Sequence, residues 1–209
     1  MKLRFRYQTR RRFLGLGSLM LISSAIAACT RPTSQQSLAQ TEAPSAAPAL
    51  DPTPACADAP TPPLTEGPFF TPNSPERTSL LEPGMTGTKL RLTGRVLSRT
   101  CTPITGALLE FWQADDRGEY DNQGYRLRGH QFTDGQGRYE LETIVPAMYG
   151  GRTPHIHVKV QAPSQSVLTT QLFFPEELAN QRDRIFRPEL VMALQPGEVG
   201  QAGEFDFVV

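Results

Sequence analysis

The chain has 209 residues, with 21 basic and 21 acidic side chains, 19 prolines, three cysteines and three histidines. A balanced charge with no basic stripe excludes a nucleic-acid footprint. The absence of a Gly-rich phosphate loop and of a G-x-S-x-G turn sets aside nucleotide binding and serine hydrolase chemistry.

Residues 1 to 28 read as an address. A basic segment ends in Thr9-Arg10-Arg11-Arg12-Phe13-Leu14, and the apolar, small-residue run from Gly15 to Ala28 is short for a permanent membrane helix. The twin arginines, with a hydroxyl before them and Phe-Leu after them, resemble a Tat signal; an ordinary Sec signal is the competing reading. Ile26-Ala27-Ala28-Cys29 closes the run in the manner of a lipobox, which makes Cys29 a candidate lipid anchor, against simple cleavage after the alanines. Residues 29 to 63, rich in Pro, Ala, Ser, Thr and Gln, bury too little apolar surface to offset their ordering entropy and are expected to form a disordered tether. With Cys29 lipidated, Cys56 and Cys101 remain as a disulfide pair or as two free thiols.

Residues 64 to 209 are the size of one domain with a single core. Lys89 to Ser98 alternates Leu90, Leu92, Gly94 and Val96 against charged and polar partners, the period of a half-buried strand. Further strands are expected at Ala107 to Gln113, Arg138 to Ile144, His155 to Gln161, Val167 to Phe174 and Glu204 to Val209, with one short helix at Glu176 to Phe186. Arg128 to Tyr139 reads as a turn leading into the Arg138 strand. Strands at close spacing with little helix predict an all-β, antiparallel β-sandwich with long loops.

The segment from Thr143 to Lys159 concentrates the chemistry. His155 and His157 leave one face of a strand while Ile156, Val158 and Val160 leave the other, so one face is core and the other can hold a metal; a structurally satisfied histidine pair would look the same. Tyr149 and Arg152 lie just upstream, and Tyr120 ends a polar turn, Gln113 to Asp121, instead of filling an apolar position. His130 reads as a loop residue, Tyr139 as core packing and Trp112 as an anchor of the sandwich.

Several motifs occur together and in order. They are Thr65-Glu66-Gly67-Pro68-Phe69-Phe70, Phe111-Trp112-Gln113-Ala114 with Gly118 and Tyr120, and Arg128-Gly129 with Thr133-Asp134 and Gly137-Arg138-Tyr139. Ile144-Val145-Pro146, Tyr149, Arg152, His155-Ile156-His157 and Thr169 to Phe174 follow. Across nearly the whole domain this pattern resembles the intradiol ring-cleavage dioxygenases, and in particular their short secreted members. The resemblance implies a mononuclear non-haem Fe(III) site bound by Tyr120, Tyr149, His155 and His157. Phenolate and imidazole donors suit that hard cation. It further implies a catechol-type substrate that displaces Tyr149, an arginine (Arg152) placed by the ring, a glutamine (Gln171) contacting the site, and a cis,cis-muconate-type product containing both atoms of dioxygen. The chain lacks the long helical region that builds the dimer of catechol-specific members, and only a short loop separates Tyr149 from His155. The oligomeric state and the catechol cleaved are therefore left open. Rival readings are a non-catalytic, prealbumin-like β-sandwich binding module and a zinc hydrolase built on His155 and His157; the latter lacks an acidic third ligand.

Overall fold

The computed structural model describes residues 59–209. The expected signal sequence, Cys29, Cys56 and the tether up to residue 58 lie outside the described residues. Within them the chain forms nine strands: β1 (Lys89–Leu97), β2 (Leu108–Gln113), β3 (Arg128–Phe132), β4 (Arg138–Ile144), β5 (His155–Gln161), β6 (Leu168–Phe173), β7 (Ala193–Pro196), β8 (Gln201–Glu204) and β9 (Phe207–Val208). One sheet runs β3-β2-β5-β6 with every pairing antiparallel. The other runs β4-β1-β8-β7, with β9 also on β1.

The two-sheet, all-β expectation holds, and the second sheet is mixed: β1 is antiparallel to β4 but parallel to β8 and β9. The strand expected from Glu204 to Val209 is broken in two. Phe205 donates its N–H to Thr93 at 3.0 Å, and the Asp206 carboxylate takes the Arg95 N–H at 2.7 Å, so a side chain replaces one rung of the ladder. A Cβ on Gly94 would stand 1.8 Å from the Phe205 carbonyl oxygen, so only glycine admits this crossing.

The core lies between the sheets and is read directly from the period-two pattern. Leu90, Leu92 and Val96 of β1, Leu109 and Phe111 of β2, Tyr139 and Leu141 of β4, and Ile156, Val158 and Val160 of β5 are all buried. Each such aliphatic side chain contributes about 1.5–3 kcal/mol on burial. Tyr139 is core as expected, and its hydroxyl donates to the Phe205 carbonyl at 2.8 Å.

Two elements differ from expectation. Arg128 to Phe132 is a strand and not a turn. Its R-G-H-Q-F composition hides the alternation because the buried positions Arg128 and Gln131 are polar and satisfied by carbonyls. His130 therefore sits on β3, with its Nδ1 2.8 Å from the Ser74 carbonyl oxygen. The helix expected over Glu176 to Phe186 is a single 3-10 turn, Leu178–Gln181, that buries no residue. Leu178 is 82% exposed, so no apolar face supports a longer helix, and the Asp183 carboxylate captures the Ile185 N–H that an α-helix would need.

The last residues of the expected tether pack on the sandwich. Thr61 exchanges bonds with Val208, and the Pro62 carbonyl accepts from the Thr170 hydroxyl at 2.8 Å. From there residues 61–70 cross the outer face of β5 and β6, where Leu64 donates to the Thr169 carbonyl at 2.8 Å. The outer face of the His155 strand is thereby roofed, and His155 and His157 are both buried.

Candidate metal centre

β5 places its two imidazoles on the face away from the core, as the alternation requires. Their Nε2 atoms come within 3.1 Å of each other, and the Tyr120 hydroxyl lies 3.3 Å from His155 Nε2. His155 Nδ1 lies 2.6 Å from the Thr153 carbonyl oxygen, an acceptor only, so Nδ1 carries the proton and Nε2 presents its lone pair.

His157 is held differently. Its ring stacks on Trp112, centroids 4.8 Å apart and 10° from parallel, and a Cβ added to Gly67 would lie 3.3 Å from its Cε1. Its buried Nδ1 has no hydrogen-bond partner among the described residues. Either the proton is on Nδ1, which leaves a buried donor unpaired and two lone pairs facing each other, or it is on Nε2, which leaves a buried acceptor unpaired. A cation between the nitrogens removes the lone-pair conflict in the first arrangement. Trp112 thus belongs to the site side of the sheet; the expectation that it merely anchors the sandwich is corrected, because β2 turns it away from the core and onto His157.

Tyr120 arrives on a tight turn. The buried Asp115 carboxylate accepts the N–H groups of Arg117 and Glu119 at 2.9 and 3.0 Å, and the Asp115 carbonyl accepts from Ala147 at 2.9 Å. Gly118, at φ +82°, passes so close to Met148 that a Cβ would stand 2.2 Å from its carbonyl oxygen. The Tyr120 and Tyr149 loops are thereby locked together, with the two rings perpendicular at 5.4 Å. Phe69 stacks on Tyr120 at 4.5 Å and meets Tyr149 edge-on at 5.0 Å. Buried Arg128 fixes this group from behind, donating to the carbonyls of Asp121 (3.0 and 2.6 Å) and Phe69 (2.5 Å).

Tyr149 is the least enclosed of the four, 37% exposed, and is followed by Gly150 and Gly151, both at positive φ with open space around them. Arg152 points its Nε to Asp183 at 2.7 Å and its terminal nitrogen to the Gln171 side-chain oxygen at 2.6 Å. Gln171 in turn donates to the Thr65 carbonyl at 2.9 Å and pairs across the sheet with His157. The structure therefore brings Tyr120, Tyr149, His155, His157, Arg152 and Gln171 into one neighbourhood. Phe69, Trp112, Thr153, Asn180 and Asp183 complete it. Phe69 lay within a motif already quoted, whereas Asn180 and Asp183 gave no signal, being ordinary polar residues 27 and 30 positions from Thr153, the residue they both bond.

Burial keeps the donor groups of the site uncharged. Burial pushes the Tyr120 hydroxyl up to about 12, against the pull of Arg152 and Arg128, so its phenolate forms only with a strong positive partner. Burial drives His155 down to about 4 and, together with His155 and the two arginines, drives His157 well below its ordinary value. Both imidazoles are neutral and ready to ligate at neutral pH. Among the described residues no group of three or more His, Cys, Asp or Glu is placed to hold a metal; the Tyr120 hydroxyl stands beside His155, with the Tyr149 ring against Tyr120. Two imidazoles with two phenols fit a ferric ion.

Comparison with known proteins gives the same direction. A family model described as "Dioxygenase" matches residues 65–209. A chlorocatechol 1,2-dioxygenase of Rhodococcus opacus is 27% identical over 180 residues, 69% of this chain and 70% of that protein. A hydroxyquinol 1,2-dioxygenase of Rhizobium sp. (strain MTP-10005) is 30% identical over 147 residues, 57% of this chain and 50% of that protein. The chain thus spans about half to 70% of these relatives. Among solved structures, the dioxygenase domain of a dioxygenase carbohydrate-binding protein fusion from Streptomyces sp. SirexAA-E superposes with a TM-score of 0.71 at 52% identity, covering 72% of this chain and 98% of that one.

Proposed function

Because the chain belongs to the intradiol ring-cleavage dioxygenase family, we propose that it cleaves a catechol-type diol with dioxygen at a ferric ion held by Tyr120, Tyr149, His155 and His157. The observation that carries this reading is the convergence of two imidazole Nε2 atoms and the Tyr120 hydroxyl within 3.1 and 3.3 Å, two of them on a strand whose other face is core. When bound, Fe(III) would supply the Lewis acidity and electron exchange that let an aromatic diol react with dioxygen. The carbon–carbon bond between the two hydroxyl-bearing carbons breaks, and each of those carbons gains one oxygen atom, giving a cis,cis-muconate-type diacid.

The side chains divide the remaining work. His155 and His157 stay neutral and fixed, one by the Thr153 carbonyl and the other by the Trp112 stack. Tyr120, roofed by Phe69, stays in place and keeps a negative charge at the site. Tyr149, half-exposed beside two glycines, is the group free to leave, and its oxygen takes up one of the protons the diol gives up. Arg152, with its fork aimed by Asp183 and Gln171, offsets the negative charge that develops on the ring. A prealbumin-like binding module would have no use for the lone-pair conflict at His155 and His157.

Iron-loaded protein is expected to be red or brown from tyrosinate-to-iron charge transfer and to convert a panel of substituted catechols under oxygen to diacids identified by mass. Iron-replete protein that stays colourless and leaves every catechol intact sinks the proposal. We further place the enzyme on the exported side of the membrane, with Cys29 as lipid acceptor. Labelled palmitate should enter the wild-type chain and not Cys29→Ala; equal labelling of both, or of neither, overturns that placement.

A further inference from the structure

The arginine of the site has a counter-ion that lies outside every motif. Asp183 follows the 3-10 turn Leu178–Gln181, and its side chain is 1% exposed. One carboxylate oxygen, Oδ2, accepts both Arg152 Nε at 2.7 Å and the Thr153 N–H at 3.1 Å, while Oδ1 accepts the Ile185 N–H at 3.1 Å. Three residues earlier, the Asn180 side-chain oxygen takes the Thr153 hydroxyl proton at 2.7 Å, and the Asn180 amide donates to the Phe174 carbonyl at 2.9 Å. Thr153 is itself the residue whose carbonyl orients His155. A short segment with no apolar face therefore reaches both the cation and one metal-facing imidazole of the site.

We propose that Asp183 is the positioning residue of Arg152, aiming its guanidinium at the reacting ring, and that Asn180–Asp183 acts as a bracket tying the site arginine and the entry to β5 to one support. The inference rests on the proposed ring cleavage for its kinetic readout but not for its geometry. Asp183 touches no reacting atom; it fixes the fork at Nε, and Gln171 fixes it at a terminal nitrogen, leaving the other terminal nitrogen without an acceptor among the described residues. A guanidinium held at two corners keeps its free corner in one direction. The carboxylate stays charged because the Arg152 bond and the Ile185 and Thr153 N–H groups together outweigh the upward push of burial, holding its pKa below the ordinary carboxylate range.

A double-mutant cycle on the iron-loaded full chain tests this. Asp183→Asn keeps the shape and removes the charge, and is expected to lower kcat about tenfold with KM and iron content unchanged, the mark of an interaction realised only in the transition state. In an Arg152→Gln background the same change should cost less than about twofold, because the residue it acts through is gone. Equal losses in both backgrounds, or no loss in either, overturn the proposal. A second measurement is independent of turnover. In the full chain loaded with diamagnetic Ga(III), the Arg152 Nε–H resonance, assigned by its absence in Arg152→Gln, should exchange slowly with solvent in the wild type and rapidly in Asp183→Asn. Rapid exchange in the wild type overturns the positioning role even if catechols are cleaved. A wild-type chain that cleaves no catechol sinks the proposed function and leaves this arm to decide the bracket.

Discussion

At the scale of single residues, the two histidines illustrate two ways of fixing an imidazole. His155 follows the common pattern in which the second ring nitrogen donates to a carbonyl, and this fixes both tautomer and direction. His157 has no such partner and depends on shape, with Trp112 against one face and Gly67 beside its Cε1. Gly67 sits at φ +72°, so Gly67→Ala adds left-handed strain of about 1 kcal/mol and presses a methyl on the ring. The expected result is a Tm about 2–4 °C lower with a larger relative loss of iron affinity, read by calorimetry and by competition with a chelator. A variant that lost stability and kept its iron affinity would show that Gly67 serves the loop alone. The tyrosines separate in the same manner. His157→Ala should lose iron, whereas Tyr149→Phe should keep it, show a changed charge-transfer band and bind catechol differently. Equal iron retention in the two variants contradicts the roles assigned to them.

At the scale of elements, the site is an agreement between two loops and one strand. Gly118 is the contact point of the loops, since its Cβ would meet a backbone oxygen that no rotamer change can move away. Gly106, at φ +68° with nothing within 4 Å, has the same conformational demand without the contact. Gly106→Ala should therefore lower Tm modestly and leave the colour of the iron complex intact. Gly118→Ala should cost on the order of 2–3 kcal/mol and weaken the charge-transfer band by parting Tyr120 from Tyr149. If the two variants behave alike in both measurements, the loops are not locked at this point. This comparison also marks what was legible beforehand. β1, β4 and β5 follow from strict alternation, because each has one face in the core and one outside it. β3 did not follow, since a buried arginine and a buried glutamine satisfied by carbonyls look like surface residues in one dimension. The residues proposed as ligands were named from motif order, and their supports were not. Trp112 looked like core because a β-strand's two buried faces share one composition, and Asp183 owes its role to a long-range contact that no local pattern encodes.

For the whole molecule, the burial that prepares the site also sets its response to acid. His155 titrates at about 4 in the folded chain against an ordinary value of 6.5. Between those values the unfolded chain binds a proton that the folded chain refuses, so stability is complete above about pH 6.5 and falls as pH drops towards 4. The full drop for this one group is on the order of 3 kcal/mol, and His157, displaced in the same direction, adds to it. The carboxylates Asp115, Asp121 and Asp183, all held below their ordinary values, contribute in the same sense at lower pH: their stabilisation is present above the unfolded carboxylate range and disappears as they protonate. The iron-free chain should accordingly show a Tm that declines from pH 6.5 to pH 4 before any general acid unfolding. His155→Gln, which has no proton to gain, should show a shallower decline over that window. Thermal melts of both proteins across the range decide it. A wild-type curve flat to pH 4, or parallel curves for wild type and variant, would mean that His155 is not held neutral by its surroundings, and the case for a pre-formed pair of neutral imidazoles would fall with it. Metal should act against the decline, since a cation occupies the lone pairs that acid would protonate. The loaded chain is thus expected to keep its Tm to lower pH than the iron-free chain, until protons displace the metal and the two curves meet.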